Sequence, residues 1–270
     1  MKKILFFIGI LLMACTVSAN AVSKQKKVRL TCSTTLKGAE TQQVAFPVRN
    51  GYIQIFNGTS LNGWRGYGKD RMPDGWTIDN ECLHFRPDGT GDGGDIIFAH
   101  QLKNFELDVE WKISEAGNSG IFYLAQEVTN EKGGLEPIYT SAPEYQLLDN
   151  ENHPDAKLGH DNNRKSASLY DMLPAKPQNA NPYGQWNRAK IVVKDGKVTH
   201  YQNGVKVVEY QLWTPEWTKL LNSCKFSQKN WPSAFQLLNN CGGVGHKGFI
   251  GFQDHGNELW LRNISLKILK

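Results

Sequence analysis

The sequence predicts an all-β fold, a sandwich or jelly roll of antiparallel sheets, and three observations carry that prediction. Phe105-Glu106-Leu107-Asp108-Val109-Glu110-Trp111-Lys112-Ile113 alternates apolar and charged residues over nine positions. A period of two is that of a strand with one buried face. Asp195-Gly196 and Asn203-Gly204 separate three more short β-type runs, and such dipeptides favour the tight turns that join antiparallel strands. Helical pattern is scarce: the best stretch is 215–221, opened by a proline suited to a first helical turn. Many short strands with turn signals between them suit a sandwich or jelly roll.

Taken in order, Lys2 and Lys3 precede an apolar run at 4–14, and the small residues Ser18, Ala19 and Ala21 follow. That is the layout of a secretory signal peptide, with cleavage after Ala19 or Ala21. Leu12-Met13-Ala14-Cys15 offers a second route, a lipoprotein lipidated on Cys15. The expected location is periplasmic or secreted, with membrane anchorage through Cys15 as the alternative. No stretch approaches the roughly 20 apolar residues of a spanning helix. Residues 1–21 are therefore read as signal peptide. Residues 22–50, lysine-rich and then polar, read as a tether in which 28–32 could add one edge strand.

A single domain is expected over 51–270. Its strands are 52–56, closed by Asn57-Gly58, then 105–113, with 120–125 as its hairpin partner after a turn at 117–119. A meander follows at 188–194, 198–202 and 205–210, and strands at 249–252 and 259–268 close the chain. Long Gly/Pro/Asn-rich loops occupy 86–94, 126–143, 150–166 and 174–185. On a β frame such loops usually line a functional rim.

Composition narrows the function classes. The net charge is +5, and it falls to +3 once Lys2 and Lys3 leave with the leader. Nucleic-acid binding would call for a clustered basic face, which this balance does not suggest. Cys32, Cys82, Cys224 and Cys241 remain in the mature chain. Four cysteines allow three full pairings. Cys224 with Cys241 is favoured because both lie in one late segment; four free, buried thiols are the alternative. There is no CxxC spacing, GxSxG, P-loop or Rossmann fingerprint.

Candidate chemistry sits on the polar faces of the strands. On 105–113 the polar face carries Glu106, Asp108, Glu110 and Lys112. A solvated outer face suits Glu106 and Lys112, whereas Asp108 and Glu110 would line a sugar-binding face if the sheet is concave there. In Glu144-Tyr145-Gln146-Leu147-Leu148-Asp149 the alternation places Glu144 beside Gln146, an acid/base group next to an amide that can donate to and accept from a hydroxyl. An ordinary polar sheet face explains that pair equally well. His200 lies mid-strand. His255 ends Gln253-Asp254-His255 at a strand end, where side chains converge on pockets. His153 and His160 match no metal spacing. Asp88, Asp92 and Asp95 could hold calcium, but a solvated turn suits them better. Trp64, Tyr67, Trp76, Trp186, Trp213 and Trp231 fall in or near loops, where rings stack on sugars or anchor the loop.

An ordered set of segments resembles the 3-keto-disaccharide hydrolase domain family. The set begins with Phe56-Asn57-Gly58-Thr59-Ser60-Leu61-Asn62-Gly63-Trp64 and Asn104-Phe105-Glu106-Leu107 running into Glu110-Trp111-Lys112-Ile113. It continues with Gly117-Asn118-Ser119-Gly120-Ile121, Glu144-Tyr145-Gln146-Leu147-Leu148-Asp149, Trp186-Asn187 and Asn203-Gly204-Val205. It closes with Gly251-Phe252-Gln253-Asp254-His255 and Arg262-Asn263-Ile264. Residues 22–50 and the cysteine-bearing segment 213–243 lie outside the pattern.

The resemblance implies a concanavalin-like jelly roll and cleavage of 3-keto-glycosides. A ketone at C3 acidifies the C2 proton; a base removes it, and the C1 oxygen leaves by β-elimination. Water addition makes the net reaction hydrolysis; without it the enzyme is a lyase. The chemistry needs a base, an enolate-stabilising group and an acid. Glu144, His255, Glu110 and His200 are the catalytic candidates. Asn118, Gln146, Gln253, Asp149 and Asp254 are the substrate-binding candidates. A divalent metal on some of these carboxylates and histidines would also serve as the electrophile. The competing expectation is a non-catalytic carbohydrate-binding module on the same fold. The expected partner in either case is a sugar or glycoside; the oligomeric state is left open.

Overall fold

The computed structural model describes residues 26–270 apart from 39 and 88–90. The expected leader, the Cys15 motif and Asp88 lie outside the described residues. The strands are β1 (Lys27–Ser33), β2 (Thr41–Arg49), β3 (Tyr52–Phe56), β4 (Trp64–Gly66), β5 (Trp76–Asp79), β6 (Cys82–Phe85), β7 (Ile96–Leu102) and β8 (Phe105–Ile113). They continue as β9 (Asn118–Ala125), β10 (Glu144–Leu148), β11 (Asn187–Lys194), β12 (Lys197–Gln202), β13 (Val205–Gln211), β14 (Gly248–Phe252) and β15 (Leu259–Ile268). Helices α1 (Pro215–Asn222) and α2 (Pro232–Asn239) interrupt them once.

Two antiparallel sheets result, and they pack as a concanavalin-like jelly-roll sandwich. The larger runs β1-β2-β3-β15-β8-β11-β12-β13, with β6 and then β5 attached through β15. The smaller runs β10-β9-β14-β7-β4. Phe105, Leu107, Val109, Trp111 and Ile113 of β8 point into one core with Ile96, Phe98, Ile121, Tyr123, Tyr145, Leu147, Ile250 and Phe252 of the smaller sheet. Removing this apolar surface from water is the main driving force for closing the sandwich.

The turn chemistry behaves as the dipeptides predict. Asp195-Gly196 and Asn203-Gly204 all take positive φ, from 49° to 82°, and β11, β12 and β13 pair in sequence through them. The expected hairpin of 105–113 with 120–125 does not form. Both edges of β8 are taken, by β15 and β11, so the chain crosses at 114–117 and β9 enters the other sheet between β10 and β14. Asp149 holds that crossing: its carboxylate accepts from the Ala116 N–H at 2.9 Å and from Asn152 Nδ2 at 2.7 Å.

Two further expectations need correction. Residues 27–49, taken as tether with one edge strand, form a β1–β2 hairpin in continuous register from Lys27↔Pro47 to Ser33↔Thr41, burying Leu30, Cys32, Val44 and Phe46. The Cys224–Cys241 disulfide is not formed; all four described cysteines are free and buried. Burial pushes the Cys32 and Cys224 thiols up to about 11 and Cys241 to about 12, which keeps them protonated.

The segment that carries the helices is held locally. Thr214 caps α1, its hydroxyl accepting from the Trp217 N–H at 3.2 Å, and Pro215 opens the helix. Trp217, Leu221, Ala234, Phe235 and Leu238 bury the faces of α1 and α2, and α2 rests on the 138–140 turn.

Trp111 tests the core model. It is fully buried, and its Nε1 has no partner among the described residues. Trp111→Ala should cost about 3–5 kcal/mol, the usual range for emptying an aromatic core position. Trp111→Phe, which removes the orphan donor with little volume, should cost clearly less. Chemical denaturation of the two variants decides it.

Candidate active site

The site lies on the face of the smaller sheet that points away from the main core. Part of that face is covered by a second apolar cluster of Ile97, Phe122, Ala125, Ile138, Ala142 and Phe249. Where this cover ends, a cavity of about 350 Å³ opens, lined by Asp95, Asn118, Tyr139, Glu144, Gln146, Tyr170, Lys225, Trp231, Gln253, Asp254 and His255.

Strand periodicity delivers Glu144 and Gln146 to this cavity. Tyr145 and Leu147 point into the core, so their neighbours on β10 must point out. Gln146 pairs with Gly120 on β9, and the Gln253 N–H donates to the Gly120 carbonyl at 3.0 Å. Gly120 therefore sits between two side-chain-bearing strands. A Cβ there would meet Glu144 Oε1 at 2.2 Å, so the glycine makes the space the carboxyl occupies.

Glu144 is 7% exposed. Burial, with smaller contributions from the charges of Asp95 and Asp155, pushes its carboxyl up to about 8 against the opposing charge of Lys225. The Gln146 amide is satisfied when its nitrogen donates to Glu144 Oε1 at 3.1 Å and to the Ser119 carbonyl at 3.0 Å. Asp95 is pushed up to about 7, chiefly by burial, while the Asp254 N–H donates to it at 2.8 Å. Burial thus raises two carboxyls of one cavity toward the neutral range, a pattern typical of acid/base sites.

The rim is built by the Gln253-Asp254-His255 turn. Asp254 is spent on backbone: it accepts from Gly94 at 2.7 Å and from Gly256 at 2.9 Å. Gln253 Oε1 is buried without a hydrogen-bond partner among the described residues, leaving an acceptor unused beside the cavity. His255 is exposed, 3.5 Å from Asn118 Nδ2, with the His153 ring 6.1 Å away at a steep angle.

Of the candidates named from sequence, the structure brings together Asn118, Glu144, Gln146, Gln253, Asp254 and His255. Asp149 is buried at the neighbouring crossover and does not line the cavity. Glu110 and Asp108 are elsewhere. They lie on the outer face of the larger sheet, where Arg262 Nε donates to Glu110 at 2.7 Å and Arg188 grips Asp108 in two bonds of 2.7 and 2.6 Å. The period-two pattern identified their face correctly, but that face belongs to the sheet without the cavity.

His200 is also elsewhere, fully buried in the core among Tyr123, Tyr145 and Tyr210. Burial pushes it down to about 4, so it is neutral at physiological pH. Its Nδ1 is 3.0 Å from the Ala167 carbonyl, which fixes the proton there and leaves Nε2 to accept from the Tyr123 hydroxyl at 2.8 Å. The ring thereby ties β12 to the segment that pairs with Gln146.

Sequence reasoning did not assign Asp95, Tyr139, Tyr170, Lys225 and Trp231 to the site. Asp95 was considered for calcium and Trp231 only as a loop ring. Asp92, its companion in that reading, is held by Lys69, by Arg71 and by the Asp74 N–H. Tyr170 and Lys225 lie in irregular segments with no periodicity to betray them. Among the described residues no group of three or more His, Cys, Asp or Glu side chains is placed to hold a metal ion.

Comparison with known proteins now has a geometry to refer to. A curated 3-keto-disaccharide hydrolase from Bacteroides thetaiotaomicron is 60% identical over 262 residues, covering 93% of this chain and 90% of that protein. The crystal structure of a candidate glycosyl hydrolase from Parabacteroides distasonis superposes with a TM-score of 0.68 at 29% identity, covering 82% of this chain and 94% of that one. A second candidate glycosyl hydrolase from that organism shares the fold, with a TM-score of 0.54 at 21% identity over 90% of this chain and 91% of its own. The Bacteroides relative and the first Parabacteroides structure mark the protein as a carbohydrate-active enzyme. With a family model matching residues 51–267, the chain belongs to the 3-keto-alpha-glucoside-1,2-lyase-like domain family.

Proposed function

We propose that the protein cleaves 3-keto-glycosides by removing the C2 proton and expelling the C1 substituent through β-elimination, outside the cytoplasm. The observation that carries this reading is Glu144, a buried carboxyl raised to about 8 in a polar cavity. A C–H beside a ketone needs a stronger base than an ordinary carboxylate, and desolvation makes Glu144 such a base.

In this reading Glu144 takes the proton from C2. The C2–H electron pair becomes the C2=C3 bond, and the carbonyl pair moves onto the 3-oxygen as an enolate. The enolate then reforms the ketone, a C1=C2 double bond forms, and the C1–O bond breaks. His255, exposed at the rim, gives its proton to the departing oxygen. Gln253 Oε1 and the amides of Asn118 and Gln146 bind ring hydroxyls. Water adding across C1=C2 completes net hydrolysis; the name of the Bacteroides relative favours that end over release of the enone. No oxocarbenium ion is formed, so a flanking carboxylate pair is not required.

Glu144→Gln should keep the fold and lower turnover of a 3-keto-glucoside bearing a chromogenic leaving group by roughly 10²–10⁴-fold. If Glu144 is the base and His255 the acid, the wild-type pH–rate profile is bell-shaped; the residual activity of His255→Ala should only rise with pH, to a plateau above about 8, and that of Glu144→Gln should only fall. The opposite pair of profiles would make Glu144 the acid and His255 the base. Binding of the 3-keto-glucoside without turnover would favour a non-catalytic module.

The raised carboxyl also sets a stability test. Glu144 ionises near 4.5 when free but near 8 in the fold. The native state therefore holds a proton that the unfolded chain releases, and stability falls as pH rises from about 4.5 to about 8. Glu144→Gln escapes this loss. Its melting temperature should gain on that of the wild type across that window and level off above it; a gap independent of pH would contradict the raised carboxyl.

Export rests on the leader-like residues 1–21. N-terminal sequencing of the mature protein should find a start near Asn20 or Val22, and a blocked, lipidated start at Cys15 would instead anchor it to a membrane.

A further inference from the structure

We propose that Lys225 is the group that stabilises the negative charge developing on the 3-keto oxygen, and that the helical segment 213–247 serves to bring it to the cavity; this rests on the functional reading above. Lys225 is the only Lys or Arg among the described residues that line the cavity; the other lining polar groups are carboxyls, amides, Tyr139, Tyr170 and His255. An enolate forming there needs an electrophile, and this side chain is the positive charge within the wall.

Its surroundings leave that charge available. Lys225 Nζ lies over the Tyr170 ring at 4.4 Å and near the Phe226 ring at 4.9 Å. It has no ion pair or hydrogen bond to a described side chain. Arg164, the neighbouring cation, is fully engaged: it bonds Asp155 at 2.8 Å and Asp171 at 2.6 Å. Asp155 also accepts from the Tyr170 hydroxyl at 2.9 Å, and Asp171 accepts from the Lys225 backbone N–H at 2.9 Å. The arginine thus satisfies the carboxylates behind the wall, and the lysine is left facing the cavity.

The backbone is fixed while the side chain is accessible. Cys224 and Phe226 on either side are buried, at 7% and 3% exposure, whereas Lys225 as a residue is exposed. Its ammonium end is nevertheless sheltered over the two rings, and burial lowers its pKa against the charges of Glu144, Asp171 and Asp155, with Arg164 acting in the same direction as burial. The same segment supplies Trp231, whose ring meets Tyr139 edge-on at 6.0 Å and adds an apolar wall to the cavity. A cation in such partly dry surroundings acts on a developing oxyanion more strongly than one in water.

The test compares wild type, Lys225→Met and Lys225→Arg on the chromogenic 3-keto-glucoside, with C2 hydrogen–deuterium exchange followed by NMR. Lys225→Met should lower kcat by about 10²–10³-fold, as loss of one oxyanion donor does, with KM little changed. Lys225→Arg should retain markedly more activity. Glu144 faces Lys225, Asp95 and Asp155, so removing the lysine charge should move the pH–rate midpoint upward, which loss of packing alone would not do. Wild-type turnover with Lys225→Met equally active overturns this assignment alone. Equal losses in Met and Arg variants with an unmoved midpoint also overturn it, in favour of packing. Wild type showing neither turnover nor C2 exchange overturns the functional reading, and this assignment with it.

Discussion

The site depends on one constraint, the two-residue period of β10. Tyr145 and Leu147 must enter the core for the sandwich to close, and that requirement turns Glu144 and Gln146 outward. β10 is the last strand of its sheet, and an open edge is poorly held. Here it is covered: Ala167 donates to the Gln146 carbonyl at 2.8 Å, Gln146 to Ser168 at 3.2 Å, and Tyr170 to the Glu144 carbonyl at 3.1 Å. The register of the candidate base is thus pinned on both sides. His200, although outside the cavity, contributes by holding the Ala167 carbonyl from the core.

The two sheets treat charge in opposite ways. On the outer face of the larger sheet each acid of β8 meets a cation: Glu106 with Lys190, Asp108 with Arg188, Glu110 with Arg262. In each pair the cation reaches solvent, which limits the energy of the pair. At the smaller sheet neither Glu144 nor Asp95 has an ion pair among the described residues, and burial raises both. Carrying unpaired buried carboxyls costs stability. A domain that needed only to fold could have used the paired arrangement throughout.

That contrast explains what the sequence could and could not reveal. The alternation of 105–113, the Asp-Gly and Asn-Gly turns and the strand ends were legible because they are local. So was the outward orientation of Glu144 with Gln146. The assignment of strands to sheets was not local. Glu110 and Glu144 have the same alternating pattern, and only the topology, with β8 between β15 and β11, separates them. His200 misled for a related reason: a polar residue in mid-strand is a candidate for a pocket, yet tyrosine hydroxyls and a backbone carbonyl satisfy it in the core. Lys225 and Tyr170 were invisible because irregular backbone has no period.

The helical segment bears on how the site is completed. Residues outside the strands supply Tyr139, Tyr170, Lys225 and Trp231 to the lining of the cavity. The frame fixes the acid/base group through sheet register, which tolerates little change, since even a Cβ at Gly120 would collide with Glu144. The loops carry no such restriction. In this architecture the proposed proton-transfer group is tied to the fold itself, while the proposed cation and the aromatic residues lie on segments free of that register. The Arg164 bridge between Asp155 and Asp171 joins the two parts, because Asp155 holds the Tyr170 hydroxyl and Asp171 holds the Lys225 backbone. That bridge contacts neither Glu144 nor its strand, so the residues that hold Tyr170 and Lys225 are separate from those that set the register of β10.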